Sequence, residues 1–318
     1  MNFHGIVHKF PVNCSLSDWE ARRKVHQDKA ESATPWGCLS VIKMNSTYLE
    51  TVDKFFEYRG TITAVCLPGV VMFSSAMFIF PSIALNSWAE NSLDDQKAEL
   101  YFLAFVLTLA IGMVLFLANT LRKELFRYTH YPIRFNRKNR MVYVTRLNGT
   151  VMVESWDKLV FTRSQCGDET VQEIRGHRMA EDGVTVLETF GLPGSADMPY
   201  IFCIWEFVRR YMEHGPEELM DKVALVADVE YRRESVFHSF LRVKSTMNAI
   251  WVIALPIILW ITIGRIIANF SARRPRWPKE IEAECQIEAD DPYIIDIDNP
   301  PEETDWSWLG RGGRQRWG

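Results

Sequence analysis

Residues 132–156 read PIRFNRKNRMVYVTRLNGTVMVESW. Ile133 and Phe135 alternate with polar neighbours, NRKN makes a turn, and two β-rich runs, 141–147 and 150–155, flank Asn148-Gly149. An Asn-Gly pair between such runs is a strong hairpin signal, because a type I′ turn needs positive φ at both central positions. Two-residue pairing across it predicts Val142, Val144, Val151 and Val153 on one face.

Further strands follow at 159–164, 170–179 and 184–192, the last two joined by a turn at Glu181-Asp182-Gly183. About six short strands in sequence result, with no clear seventh. Residues 200–215 then read YIFCIWEFVRRYMEHG. Ile201, Ile204, Trp205, Val208 and Met212 form an apolar stripe at helical spacing, with Glu206, Arg209, Arg210 and Glu213 facing away. Gly215-Pro216 stops this helix. A small bent sheet closed by one helix through Trp205 is the plan of a pleckstrin-homology-like (PH-like) domain.

The surroundings are membrane-like. Residues 61–85 and 100–121 carry no charge, and each exceeds the roughly 20 apolar residues of a spanning helix. Their connection, 86–99, holds four acids and one Lys. Arg122, Lys123 and Arg127, then Arg134, Arg137, Lys138 and Arg140, follow the second run. The positive-inside rule puts 86–99 outside and the β-region in the cytoplasm. The first run begins too far into the chain for a signal peptide. A third uncharged run, 245–264, contains Pro256 and has basic residues on both flanks. Two readings remain: three spans with the tail outside, which we adopt, or a re-entrant or surface-lying third segment.

Before the first span, 44–60 reads as an amphipathic helix, with Leu49, Val52, Phe55 and Phe56 on one side. Ser17 and Glu20 form a capping-box pattern. Residues 231–244 form a second amphipathic run. The last 39 residues, 280–318, carry 11 acids and 3 Arg in a chain of net charge −4. They read as an acidic, largely disordered tail, either solubilising or a strand that adds to a sheet edge.

The expected class is therefore an α+β membrane protein. An N-terminal cytoplasmic region (1–60) leads into a transmembrane hairpin (61–121). A cytoplasmic PH-like β-domain with linker helices (122–244), a third transmembrane segment (245–270) and the tail (271–318) follow.

Chemistry is sparse. No G-x-S-x-G, H-E-x-x-H or Gly-rich phosphate loop occurs, so no catalytic residue is expected. The six Cys form no C-x-x-C pair and the seven His are scattered, so no metal or cofactor is expected. Basic residues gather on no long face, which argues against nucleic acid. Arg134, Arg137, Lys138 and Arg140 surround the first β-turn and are the candidates for binding anionic lipid or a partner. The same charges satisfy the orientation rule without any ligand. Asn148, Gly149, Trp205 and Gly215 are expected to be structural.

Four stretches together resemble the DUF6708 family: MNFHGIVHKFPVN, VIKMNSTYLETVDKFFEYRG, YPIRFNRKNRMVYVTRLNGTV and WEFVRRYMEHGPEEL. The resemblance implies a multi-pass protein of the bacterial inner membrane, encoded near type VI secretion genes. It supplies no catalytic residues. It implies a non-enzymatic role toward a secreted toxin effector, as immunity or accessory protein. A membrane-anchored lipid-sensing or scaffold module is the alternative.

Overall fold

The computed structural model describes residues 10–37, 39–88, 92–166, 168–194, 200–229, 234–246 and 252–301. The first residues of the MNFHGIVHKFPVN stretch, Cys38, the centre of the 86–99 loop, the start of the 231–244 run and the tail beyond 301 lie outside the described residues. In chain order come β1 (Cys14–Ser15), α1 (Asp18–Ala21), β2 (Lys24–Val25), β3 (Val41–Met44), β4 (Tyr48–Thr51), α2 (Thr61–Ser87) and α3 (Leu93–Leu121). Then follow β5 (Ile133–Asn136), β6 (Met141–Thr145), β7 (Val151–Ser155), β8 (Val160–Cys166), β9 (Asp168–Met179) and β10 (Thr185–Gly191). Among the described residues four helices follow: α4 (Tyr200–His214), α5 (Val236–Thr246), α6 (Leu255–Ser271) and α7 (Lys279–Glu284).

The chain divides into two units. The first comprises Met1–Tyr58, Tyr128–Leu255 and Arg273–Gly318; the second comprises Arg59–Arg127 and Pro256–Ala272.

The first unit is α+β, with two five-stranded antiparallel sheets, β3-β4-β5-β6-β7 and β1-β10-β9-β8-β2. The six strands expected after residue 132 thus split three and three. Each half is completed by two strands from the N-terminal region. The expected helix at 44–60 is instead the β3–β4 hairpin followed by a 3-10 turn at Lys54–Phe56. All four residues of β4 are buried. A strand flanked by neighbours and covered on both faces shows no alternation, so its apolar spacing is easily taken for a helical stripe.

The 141–155 hairpin also differs from expectation. Thr145 pairs with Val151 and Val144 with Met152, so the register is one residue off that of a two-residue turn. Leu147, Asn148 and Gly149 form a three-residue loop, in which Gly149 adopts φ +85° and Asn148 stays at negative φ. The Gly149 amide donates to the Arg146 carbonyl at 2.9 Å. This is the three-residue hairpin with a left-handed residue at its end. A one-residue slip exchanges the faces of a strand. Met152 therefore joins Val142 and Val144 in the core, while Val153 is exposed.

One core joins both sheets, from Val25 to Ile295, with Trp156, Phe161 and Trp205 at its centre. The Trp156 and Trp205 rings stack with centroids 5.9 Å apart. Gly215 ends α4 at φ +101°, its amide donating to the Arg210 and Tyr211 carbonyls at 3.1 Å. The far face of α4 is not the solvated surface its charges suggest. Glu206 is fully buried, and its carboxylate accepts from Arg209 (2.8 Å), Arg210 (3.2 Å) and the Glu31 amide (2.8 Å).

In the second unit, α2 and α3 are long and apolar enough to cross a membrane. Their most apolar windows are only 17% and 6% buried, unlike the core helix of a soluble protein. The Gly69 Cα lies against Leu117, so a β-carbon there would sit 2.7 Å from that side chain. The third apolar stretch holds α6, 17 residues long. At 1.5 Å per residue it measures about 25 Å, short of a bilayer core of ~30 Å.

Candidate functional site

The basic turn leads from β5 into β6. The Asn136 Oδ1 accepts from the Lys138 amide (3.0 Å) and the Asn139 amide (3.2 Å), which fixes the turn. Its four basic residues have different fates. Arg134 is buried and donates through Nε (3.0 Å) and Nη2 (2.7 Å) to Glu50 on β4. Its guanidinium lies over the Tyr48 and Trp277 rings, at 4.3 and 4.7 Å from their centroids. Lys138 pairs with Glu288. Arg140 donates to Asp157 (2.5 Å) and Glu213 (3.0 Å). Arg137 is half-buried, and among the described residues it shows no ion pair; its guanidinium lies beside Gly215. Three of the four candidate ligands of an anion are thus engaged by carboxylates of the chain itself.

One of those carboxylates, Glu288, comes from the segment expected to be a disordered tail. Residues 273–300 instead form a strap across the first sheet. Trp277 Nε1 donates to Glu50 at 3.0 Å. Ile281 and Cys285 pack with Tyr48 and Tyr143. Burial, with a hydrogen bond to Glu284 added to it, pushes the Tyr143 hydroxyl well above its ordinary range. Asn136 donates to the Glu284 carbonyl (2.9 Å) and Thr47 to the Gln286 carbonyl (3.0 Å). Ser46 grips Asp291 through its amide (2.7 Å) and hydroxyl (2.9 Å). Ile295 exchanges backbone hydrogen bonds with Met44 on edge strand β3, at 2.8 and 2.9 Å, and its side chain enters the core. Lys43 closes on Asp296 at 3.2 Å. The site is therefore a sheet edge with basic and hydroxyl side chains around it, holding an extended acidic segment of the same chain.

A second polar constellation lies on β8–β10. Glu173 is fully buried and receives Lys54 and Arg175, each at 2.5 Å. Arg175 also pairs with Glu20 at 3.0 Å, and Ser164 donates to Glu20 at 2.8 Å. The Ser17 and Glu20 capping box opens α1, as the sequence indicates. Burial alone would raise the Glu173 carboxyl, but Lys54 and Arg175 outweigh it and hold it below the usual carboxylate range. His177 hydrogen-bonds Thr162 (2.8 Å) and Thr189 (2.9 Å), and burial depresses it to about 4. The polar alternation Thr162, Ser164 and Glu173, Arg175, His177 was visible in the sequence. Its burial was not, because the covering chain comes from residues 10–20, about 150 positions away. Among the described residues no cluster of His, Cys, Asp and Glu suits a metal ion. The network acts as a clamp joining the N-terminal segment, the turn at Lys54 and the second sheet.

In the second unit, α2 has a glycine N-cap with no side chain of its own to cap it. Glu124 supplies that function, accepting from the Gly60 amide, the Thr63 amide (both 2.7 Å) and the Thr63 hydroxyl (2.5 Å). A carboxylate there satisfies open amides at the positive end of the helix dipole.

A family model described as a family of unknown function, DUF6708, matches residues 108–289, more than half of the chain. No curated protein and no solved structure matches it.

Proposed function

This chain belongs to the DUF6708 family, and on that premise we propose that it acts by binding rather than by catalysis, as a membrane-anchored protein whose first unit engages another protein. The observation that carries this reading is the strap. A sheet edge that holds an extended segment by backbone pairs, with side chains gripping its carboxylates, is an arrangement used for peptide recognition. The lipid-sensing alternative loses ground, because Arg134, Lys138 and Arg140 already carry carboxylate partners.

In this proposal α2 and α3 cross the bacterial inner membrane, and the basic residues after α3 keep the first unit in the cytoplasm. The strands β5–β10 with α4 form a PH-like core to which residues 14–51 add four strands. The partner is a type VI secretion effector, and the role is immunity or accessory.

A competition assay tests it. Recipients express the wild-type chain, an Arg137→Glu variant at the half-buried basic position, or nothing, and meet attackers of the parent strain. Wild-type recipients should survive, empty ones should die, and Arg137→Glu should shift survival without altering protein level. Equal survival of wild-type and empty recipients, together with full killing by attackers lacking the gene, removes both the immunity and the accessory role.

A further inference from the structure

The chain leaves the first unit after α5 and rejoins it at Arg273. Helix α5 belongs to that unit: Leu241 and Val243 are buried, Arg242 pairs with Glu234 at 3.1 Å, and its guanidinium lies 4.5 Å over the Phe56 ring. On return, the Thr129 amide donates to the Arg273 carbonyl at 2.7 Å, and Trp277 reaches Glu50. A segment that starts and ends on one folded unit crosses a bilayer an even number of times. Two crossings need on the order of 40 residues, and only 247–272 are available. The even number is zero.

Helix α6 is nonetheless built for lipid. Ile257, Trp260, Ile263, Ile267 and Phe270 are exposed along one side. The other side carries its small and polar residues, Thr262, Gly264, Arg265, Ala268 and Asn269, all buried. That side packs on the start of α2. A β-carbon at Gly264 would lie 2.5 Å from the Gly60 carbonyl and 2.7 Å from the Ala64 methyl. Arg59 donates to Asn269 at 2.7 Å and to the Ala268 carbonyl at 3.1 Å, and Trp260 Nε1 donates to the Ala64 carbonyl at 2.9 Å. Small residues at the contact and satisfied polar groups facing protein, with apolar groups facing out, are how helices associate in lipid. The contact lies at the first turns of a helix long and apolar enough to span, where such a helix enters the bilayer.

We infer that α6 is a non-spanning membrane helix, embedded among acyl chains of the leaflet in which α2 begins, so that the N-terminal region, the β-sheets and the strap share one side. This rests on the membrane-anchored reading of α2 and α3 and revises the third span expected from hydropathy. Its partner is the hydrocarbon of a single leaflet.

The test uses the full chain in oriented vesicles, with Cys14, Cys38 and Cys166 replaced by Ser, Cys66, Cys203 and Cys285 left buried, and one new cysteine at Asp28, Asp94 or Ala289, all exposed positions. An impermeant maleimide should label Asp28→Cys and Ala289→Cys from one side and Asp94→Cys from the other. Labelling of Ala289→Cys from the Asp94→Cys side means that α6 crosses, and overturns the inference. Labelling of all three from one side instead removes the anchoring reading itself. A fluorophore at Ile263→Cys or Phe270→Cys should then lose emission to nitroxide lipids and keep it in iodide. Iodide quenching equal to that at Ala289→Cys places α6 in water and also overturns the inference.

Discussion

His177 sits between two threonine hydroxyls, with Arg175, Glu173 and Glu20 as its nearest charges. Burial is the largest influence on it, and its proton affinity falls from an ordinary 6.5 to about 4. The sign of the consequence is fixed. On acidification the unfolded chain takes up the proton first, so the stability tied to neutral His177 is complete above pH 6.5 and drains away toward pH 4. Glu20 and Glu173, both held below their ordinary value of 4.5, extend the loss to lower pH, so of these three groups His177 alone acts between 6.5 and 4.5. The melting temperature of the wild type should therefore drop between pH 7 and pH 5, and His177→Asn should flatten that drop. Parallel pH profiles for the two proteins would show that His177 is not the group responsible. None of this could be read locally. A polar strand face looks the same whether water or a distant segment covers it, and Arg134 teaches the same lesson from a loop. It sits in a run of basic residues that reads as a surface patch, yet Glu50, 84 positions earlier, takes it into the interior.

At the scale of elements, what was legible depended on whether an element faces water. Strands β6 and β7, the helix α4 and the two long apolar helices announce themselves, because each has one face with a single environment or an unbroken apolar run. Strand β4 does not, being buried on both faces. The hairpin between β6 and β7 was legible in kind and misread by one residue, since Asn-Gly fits a two-residue loop and a three-residue loop alike and only packing chooses. Met152, not Val153, is the better core filler opposite Val144. Gly149 is needed in either case, and for two reasons here. Its φ is +85°, and a β-carbon would stand 2.4 Å from the Tyr128 hydroxyl. Gly149→Val should thus cost at least ~1 kcal/mol of the first unit's stability, the scale of backbone strain at a left-handed β-branched residue. Chemical denaturation checks it: an unchanged midpoint would mean that the loop rearranges without penalty.

At the scale of the whole chain, the first unit is assembled from three stretches with α2–α3 inserted between paired strands β4 and β5 and with α6 inserted before the strap. Thr51 pairs with Ile133 across that insertion. Ile295, 2% exposed, belongs to the same core as Val25, Trp156 and Trp205. Composition alone made the strap look unfolded, because the residues that hold it, Lys43, Ser46, Thr47 and Lys138, lie 150 to 253 positions upstream. The strap is consequently part of the fold as well as a candidate recognition element, and deleting it cannot isolate a binding role. Point changes can. Ile295→Ala should destabilise the first unit by about 2–5 kcal/mol, as for other aliphatic side chains removed from a packed core. Asp290→Asn, at an exposed strap position, should leave stability within roughly 0.5 kcal/mol, as is usual for surface changes. Melting of the two full-length variants in detergent decides it. If Ile295→Ala melts with the wild type, the strap is not packed in the core, and its seat on β3 is a contact the fold does not need.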